Sequence, residues 1–501
     1  MTTNSLEELP PEICALIIEH LALDDIRHLR LVNRALAHNA TQDRFRACFK
    51  TKNVETTREG LEKLGWIIAN SRLGRLLEHL TLLGVAYDLV HPARIAMPDK
   101  WPHEASTHDD SNAEPLIAGS DDVVARTKAR EDLRFLTQRK AEYIEFHNTG
   151  MALSFLTEAL RTFKMYKPRG LHSLSVSVTV YQDALLTEAP SDVGCWIWVH
   201  KAAQHTFFLA MNALAMSKIA VTSLDVFGTH SRGFGLPCDA LAHTCRTYPG
   251  CFNLPGLKKL IICISDQILV ETAERVIMPV ETGLEDSPVF NSAMERLPER
   301  IRNTVNRSSQ ALATMLEACP GLEILGISFY RQTYLDEQLK HVRNEFMRQY
   351  MYFLANMRPG KHLRYVNLSG LWVNETDLIH FLEHHSASLQ GVELRYVNVG
   401  EGKGDALLSS LASQKFSLDA LSLEDVWLGE SELMAFDGEE DEDGTSVFGP
   451  LEQATAIRRA DKAIRRQIPY RPFTLPEFYN PSTSDTGKWL EMNQKDFGDC
   501  L

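Results

Sequence analysis

The sequence predicts an α/β chain in which a three-helix N-terminal module precedes a long, irregular solenoid-like alternation of short strands and helices. Two patterns predict it. The first fifty residues place apolar side chains at helical spacing behind helix-start signals. From Leu77 onward a leucine-x-x-leucine-x-leucine signature recurs eight times, and helical patterns fill the gaps between its copies.

Leu9-Pro10-Pro11-Glu12-Ile13 opens the first helix. Proline suits a first turn, where its missing N–H has no partner to lose, and Glu12 sits where the helix dipole favours an anion. Ile13, Leu16, Ile17 and Leu21 follow at i, i+3, i+4 and i+8 as one apolar stripe. Asp24 and Asp25 read as the cap of a second helix with Ile26, Leu29, Val32 and Leu36 as its apolar positions and Leu31 off that line. A third helix is expected to contain Phe45 and Phe49. Three helices this short build little core, so some apolar side chains should stay open for a partner or pack on the next domain. On pattern alone they read equally as the opening helices of a larger helical domain.

The run Leu9-Pro10-Pro11-Glu12-Ile13, then Ile17, Leu21, Asp25-Ile26 and Leu29-Arg30-Leu31-Val32-Asn33-Arg34, resembles the F-box motif in order and spacing. It departs near Leu36, where many members carry tryptophan. The resemblance covers about the first 45 residues. It implies docking to a Skp-type adaptor and, through that adaptor, to the cullin scaffold of an SCF ubiquitin ligase. Carried over position by position, it implies adaptor-facing roles for Leu9, Pro10, Ile13, Ile17, Leu31 and Val32.

The recurring signature appears at Leu77/Leu80/Leu82, Leu171/Leu174/Val176, Val221/Leu224/Val226, Leu257/Leu260/Ile262, Leu322/Leu325/Ile327, Leu363/Val366/Leu368, Leu389/Val392/Leu394 and Leu418/Leu421/Leu423. Alternation within each copy reads as a short strand with one buried face. Helical patterns over 308–318, 336–357, 375–384 and 405–413 lie between. Strand then helix, repeated, resembles a divergent leucine-rich-repeat domain, in which each unit covers the apolar face of the one before. The spacings of 26 residues from Leu363 to Leu389 and 29 from Leu389 to Leu418 approach that family's period, whereas Leu171 to Val221 spans 50 and Leu257 to Leu322 spans 65. An ordinary α/β domain with several hydrophobic strands is the alternative. The aromatics Tyr330, Tyr365, Trp372, Tyr396 and Trp427, beside strand positions, are candidate target contacts, because Tyr and Trp bury much area at low entropy cost.

The organisation read from these patterns is a helical module over 1–50 and a linker with the first repeat-like unit over 51–96. A loop or disordered insertion over 97–132 and the repeat-like domain over 133–436 follow. An acidic loop over 437–450 and a terminal helix and extended tail over 451–501 complete the chain. The insertion is proposed from prolines, serines and the acidic pairs Asp109-Asp110 and Asp121-Asp122, and the acidic loop from six acids in seven positions over 437–443. Leu451 to Gln467, with Arg458, Arg459, Lys462, Arg465 and Arg466, reads as an amphipathic helix, with a basic patch for nuclear import or an anion as the sharper alternative.

A net charge of −14 disfavours nucleic acid and anionic membrane as main partners. No secretory signal and no run of about 20 apolar residues is seen. The nine cysteines are odd in number and scattered, as expected of reduced thiols in cytoplasm or nucleus. No P-loop, dinucleotide fingerprint, nucleophile elbow, H-E-x-x-H or C-x-x-C pattern occurs; Gly400-Glu401-Gly402-Lys403-Gly404 reads as a turn. His230, Cys238, His243, Cys245 and Cys251 match no zinc spacing. The expectation is therefore a non-catalytic chain without cofactor or metal, working as the target receptor of an SCF-type ligase. A binding scaffold outside ubiquitin transfer is the alternative, and an enzyme with a dispersed site is the third reading.

Overall fold

The computed structural model describes residues 10–39, 43–97, 121–183, 187–188, 197–228, 235–248, 250–265, 288–330, 337–356, 362–400, 404–429, 432–436, 445–448 and 455–474. The chain divides into two compact units, one of Met1–Ser191 and His205–Ser223, the other of Asp192–Gln204 and Leu224–Leu501. It is a mixed α/β protein whose sheet strands are mostly parallel. Among the described residues no helix is long and apolar enough to cross a membrane.

The first unit opens with four short helices where three are expected: α1 (Pro11–Glu19), α2 (Leu23–Val32), α3 (Arg34–Asn39) and α4 (Asp43–Ala47). Phe45 lies on α4, and Phe49 falls in the turn after it. Asp24 and Asp25 do not cap α2: both lie inside it, and its N-cap is Ala22, with no side-chain cap bond. Asn33 ends α2 in an extended conformation, and its Oδ1 accepts the Leu36 N–H at 2.8 Å to start α3. That break explains why Ile26, Leu29, Val32 and Leu36 do not share one face. Leu36 is buried from α3, while Val32 is left exposed at the end of α2.

Next come β1 (Thr51–Glu55), α5 (Arg58–Asn70), β2 (His79–Tyr87), α6 (Val90–Ala96), α7 (Asp121–Asn148), α8 (Met151–Tyr166) and β3 (Leu171–Tyr181). β1, β2 and β3 pair in parallel in that order. Val54, Leu82 and Val176 form one buried row of the ladder, and Leu80 and Leu174 form another. α5 and α8 pack on each other, and α7 sets Leu136 and Tyr143 against Val85 and Tyr87 on the opposite face of β2 from Leu82. α7 overturns part of the expected loop insertion over 97–132. After Asp122 the prolines and serines give way to alanine, arginine, lysine and leucine, which favour helix. Residues 98–120 lie outside the described residues. A two-residue β4 (Thr187–Glu188) runs antiparallel to β3. The boundary between the units falls within α9 (Ile197–Ser217) and again within β5 (Val221–Val226), so residues 133–436 do not form a single unit.

The second unit continues with β6 (Leu236–Pro237), α10 (Cys238–Thr247), β7 (Lys259–Ser265), α11 (Pro288–Glu317), β8 (Ile324–Tyr330) and α12 (Glu337–Asn356). β9 (Tyr365–Ser369), α13 (Glu375–His384), β10 (Gly391–Arg395), α14 (Asp405–Leu411) and β11 (Ala420–Glu424) follow. Strands β7 to β11 lie side by side, parallel and in chain order. The signature residues become ladders: Leu260, Leu325, Val366, Val392 and Leu421 in one row, and Ile262, Ile327, Leu368, Leu394 and Leu423 in the next. All ten are buried. Unequal helices account for the unequal spacing of the signature: α11 has 30 residues, α12 20, α13 10 and α14 7.

A repeat longer than the signature emerges at the strand ends. Gly370, Tyr396 and Asp425 follow β9, β10 and β11, and all three adopt left-handed φ angles of 72°, 52° and 49°. Beyond that kink the chains run parallel again. Trp372 bridges Asn398, which bridges Trp427, and the Val373 N–H donates to Asn398 O at 2.8 Å. The buried residues flanking this bridge row are Leu371 and Val373, Val397 and Val399, and Val426 and Leu428. Gly370 has no substitute here, since a Cβ would lie 2.5 Å from Phe329 O.

The second unit then adds β12 (Trp427–Leu428), β13 (Glu432–Phe436), β14 (Thr445–Phe448), β15 (Ala456–Ala460) and β16 (Tyr470–Thr474). β15 pairs antiparallel with β11, bringing Ile457 opposite Leu423, and β14 pairs with β15. Where a helix over 451–467 is expected, Ala456–Ala460 form strand β15 and Asp461–Arg465 a 3₁₀ turn, and 451–454 lie outside the described residues. Burying Ile457 on the edge of β11 outweighs the helical spacing. Arg459 is buried and donates to the carbonyls of Ala463, Arg466 and Gln467, so it is not part of a basic surface. β16 pairs with β13. The acidic run 437–443 and residues 475–501 lie outside the described residues.

Truncating a ladder residue should be costly. Leu394→Ala is expected to destabilise by about 2–5 kcal/mol in urea unfolding, and a change below about 1 kcal/mol would contradict its place in the ladder. Burial also pushes His147, His200 and His385 down to about 4, below the 6.5 of a free histidine. The His147 Nε2–H donates to Thr56 O at 2.9 Å. Between those two values the unfolded chain binds more protons than the folded one, so stability is complete above 6.5 and falls as pH drops toward 4. Each histidine contributes a slope of up to about 1.4 kcal/mol per pH unit. Urea midpoints at pH 7 and pH 5 measure this, and equal midpoints would refute it.

Candidate docking surface

α1 carries apolar side chains on two sides. Its Pro10 N-cap accepts the Ile13 and Cys14 N–H groups at 3.0 Å, which sets the helix phase. In that phase Cys14 and Ile18 point inward and join Ile26, Leu36 and Phe45 as the buried residues of the module. Leu21, Leu29, Phe49 and Leu73 pack around Ile18, Ile26 and Phe45. The Arg30 guanidinium sits 4.0 Å from the Phe45 ring centroid. The stripe of Ile13, Leu16, Ile17 and Leu21 is therefore not the buried one: the inner line is one position further on, at Cys14 and Ile18.

The other side stays open. Ile13 is 42% exposed and Leu16 55%, and at the end of α2 Leu31 is 82% and Val32 67% exposed. Pro10 is exposed and Ile17 half-buried. Of the six adaptor-facing candidates, Pro10, Ile13, Leu31 and Val32 are thus accessible and Ile17 partly so; Leu9 lies outside the described residues. Leu16, a position of the helix stripe outside that set of six, is accessible as well. Single exposed apolar residues are ordinary; here four large aliphatic ones fall within two consecutive short helices. Burying each against a partner contributes about 1.5–3 kcal/mol before the cost of association. Exposed Glu12, Glu19 and Arg27 give polar groups beside them.

The target-binding candidates in the second unit do not form one cluster. Trp372 and Trp427 are half-buried and occupy the same bridge row, on either side of the buried Asn398. Asn398 Oδ1 accepts the Gly400 N–H at 2.8 Å, and the Arg348 guanidinium lies 5.9 Å from the Trp372 ring. Tyr396 is half-buried at the left-handed position just before that row. Tyr365 sits at the opposite end of its strand, its ring lying over Gly391, where a Cβ would come within 2.5 Å. It therefore belongs to sheet packing and not with the tryptophans. Tyr330 ends β8, and its side chain is outside the description. A polar group on the sheet face went unread in the sequence: Glu393 contacts Asn367 and Arg395, and Arg395 lies 3.5 Å from the buried Glu424. Its signal is the alternate position of each strand, between the leucines of the signature.

Among the described residues no group of three or more His, Cys, Asp or Glu side chains is placed to hold a metal ion. Cys251 is buried, its thiol donates to Thr244 O at 3.8 Å, and burial pushes it up to about 12. His230 lies outside the described residues. No protein-family model matches the chain, and no curated protein matches it in sequence.

The two sides of the module should separate on mutation. Ile26→Ala is expected to cost about 2–5 kcal/mol of stability, and Leu31→Ala less than about 0.5 kcal/mol. Chemical unfolding of both variants checks it, and equal losses would mean that Leu31 is a core residue.

Proposed function

We infer that this chain is the substrate-recognition subunit of an SCF-type ubiquitin ligase. α1 and α2 form an F-box that docks a Skp-type adaptor and, through it, a cullin. The second unit, a divergent leucine-rich-repeat-like solenoid, holds a target protein. The observation that carries the reading is the exposure of Ile13, Leu31 and Val32, motif positions that a self-contained helical domain would bury. An adaptor helix laid across them would be recognised by alternating aliphatic anchors.

Two features support the repeat-like part. Strands β7 to β11 follow one another in chain order, each after a helix, and the 26- and 29-residue spacings recur both in the leucine ladders and in the row of Trp372, Asn398 and Trp427. The chain itself performs no chemistry in this reading. It raises the effective concentration of a target near the ubiquitin-charged enzyme.

Full-length protein mixed with a Skp-type adaptor should co-elute with it on gel filtration. Ile13→Asp combined with Leu31→Asp should weaken that complex by about a hundredfold or more, while the unfolding free energy changes by less than about 1 kcal/mol. Retained adaptor binding in the double variant would overturn the reading. Adaptor binding without cullin recruitment would favour a scaffold outside ubiquitin transfer.

A further inference from the structure

Strand β1 is the outer strand of the first unit's sheet. It pairs with β2, and no described strand pairs with its other edge. The ladder tells which groups that edge offers. Lys50 O accepts the His79 N–H, and the Thr56 N–H donates to Leu83 O. Even-numbered peptide groups thus face β2, and those of Thr51, Asn53 and Glu55 point away from it. A bare edge is usually shielded against stray pairing. Here it borders a cleft of about 440 Å³ lined by Lys52 to Glu55, by Lys63 of α5 and by Phe135 and Arg139 of α7.

The charges in the cleft are unequally engaged. The Tyr181 hydroxyl donates to Glu55 at 2.8 Å, and Arg139 pairs with Glu59 at 3.3 Å. Arg139 thereby balances the charge of Glu59, while Glu55 keeps its negative charge beside Tyr181. Lys52 and Lys63 are exposed, and neither has a hydrogen-bond or ion-pair partner among the described residues. The two faces also differ. Lys52 shares the sheet face of its register partner Leu80, whereas Tyr87 and Tyr181, stacked 5.6 Å apart, lie on the other face. Phe135, at 36% exposure, adds apolar surface to the cleft. A strand laid along β1 alternates its side chains between these faces, meeting Lys52 on one; the tyrosines lie beyond the end of β1, so the exposed aromatic surface of the cleft is that of Phe135.

We propose that this cleft takes an extended peptide of alternating acidic and apolar residues, supplied by a partner protein, as an added strand on β1. Main-chain hydrogen bonds to Thr51, Asn53 and Glu55 give affinity, and the lysine–aromatic division gives specificity. The site stands on the first unit's sheet and is independent of adaptor docking at α1 and α2.

A fluorescein-labelled octapeptide alternating glutamate with valine or leucine tests it, titrated into the full chain and followed by anisotropy. Saturable binding is expected, weakened by about tenfold or more when lysine replaces glutamate in the peptide or when the chain carries Lys52→Glu with Lys63→Glu. Amide hydrogen exchange at residues 51, 53 and 55 should slow in the complex. Both lysines are exposed, and an unchanged thermal midpoint verifies that the variant is folded. Absent binding, equal affinity for the acidic and basic peptides, undiminished binding by the folded variant, or unchanged exchange at those three amides would each overturn the proposal.

Discussion

A nine-residue helix with aliphatic side chains on two sides cannot bury both against a core built on Ile18, Ile26 and Phe45. That limit governs the N-terminal module. Cys14 and Ile18 take the interior positions, and Ile13 and Leu16 are left in water. The same holds at the end of α2, where the extended Asn33 stops the helix and leaves Leu31 and Val32 without cover. Leaving four large aliphatic groups exposed is unfavourable for an isolated chain, and a partner surface removes that cost.

The second unit solves the opposite problem. Each strand offers one apolar face, and a neighbour in register extends it, so Leu260, Leu325, Val366, Val392 and Leu421 build one continuous row. Helix length is free to vary between strands because the ladder fixes only the strand register. That is how α11, with 30 residues, and α14, with 7, serve the same arrangement. After β11 the antiparallel β15 pairs with its free edge, setting Ile457 opposite Leu423 and ending the parallel array. The first unit's β1 has no such cover on its outer edge among the described strands.

Much of this was legible in the sequence, because alternation of period two is a direct imprint of a sheet with a buried face. All eight copies of the signature lie at strands, and the pattern over 375–384 matches α13. Three things were not legible. Helical spacing in α1 fits two lines of apolar residues, Ile13 with Leu16 and Ile17, or Cys14 with Ile18, and only packing decides which turns inward. The break at Asn33 hid the parting of Val32 from Leu36, since residues three and four apart look continuous until the chain kinks. Arg458 and Arg459 simulated an amphipathic helix around 451–467, whereas pairing with β11 makes that segment a strand with Arg459 turned inward. The surface is the least legible layer. Trp372 and Trp427 come together through a parallel bridge whose frame lies beyond the signature, and Tyr365, similar in sequence context, ends up packed over Gly391.

The most direct test is a hydrogen-exchange footprint of a Skp-type adaptor on the full-length chain. Slowed exchange is expected only in the peptides spanning α1 and α2, with the ladder strands β7 to β11 unchanged. A footprint centred on the second unit, or none at all under conditions where the complex forms, would contradict it.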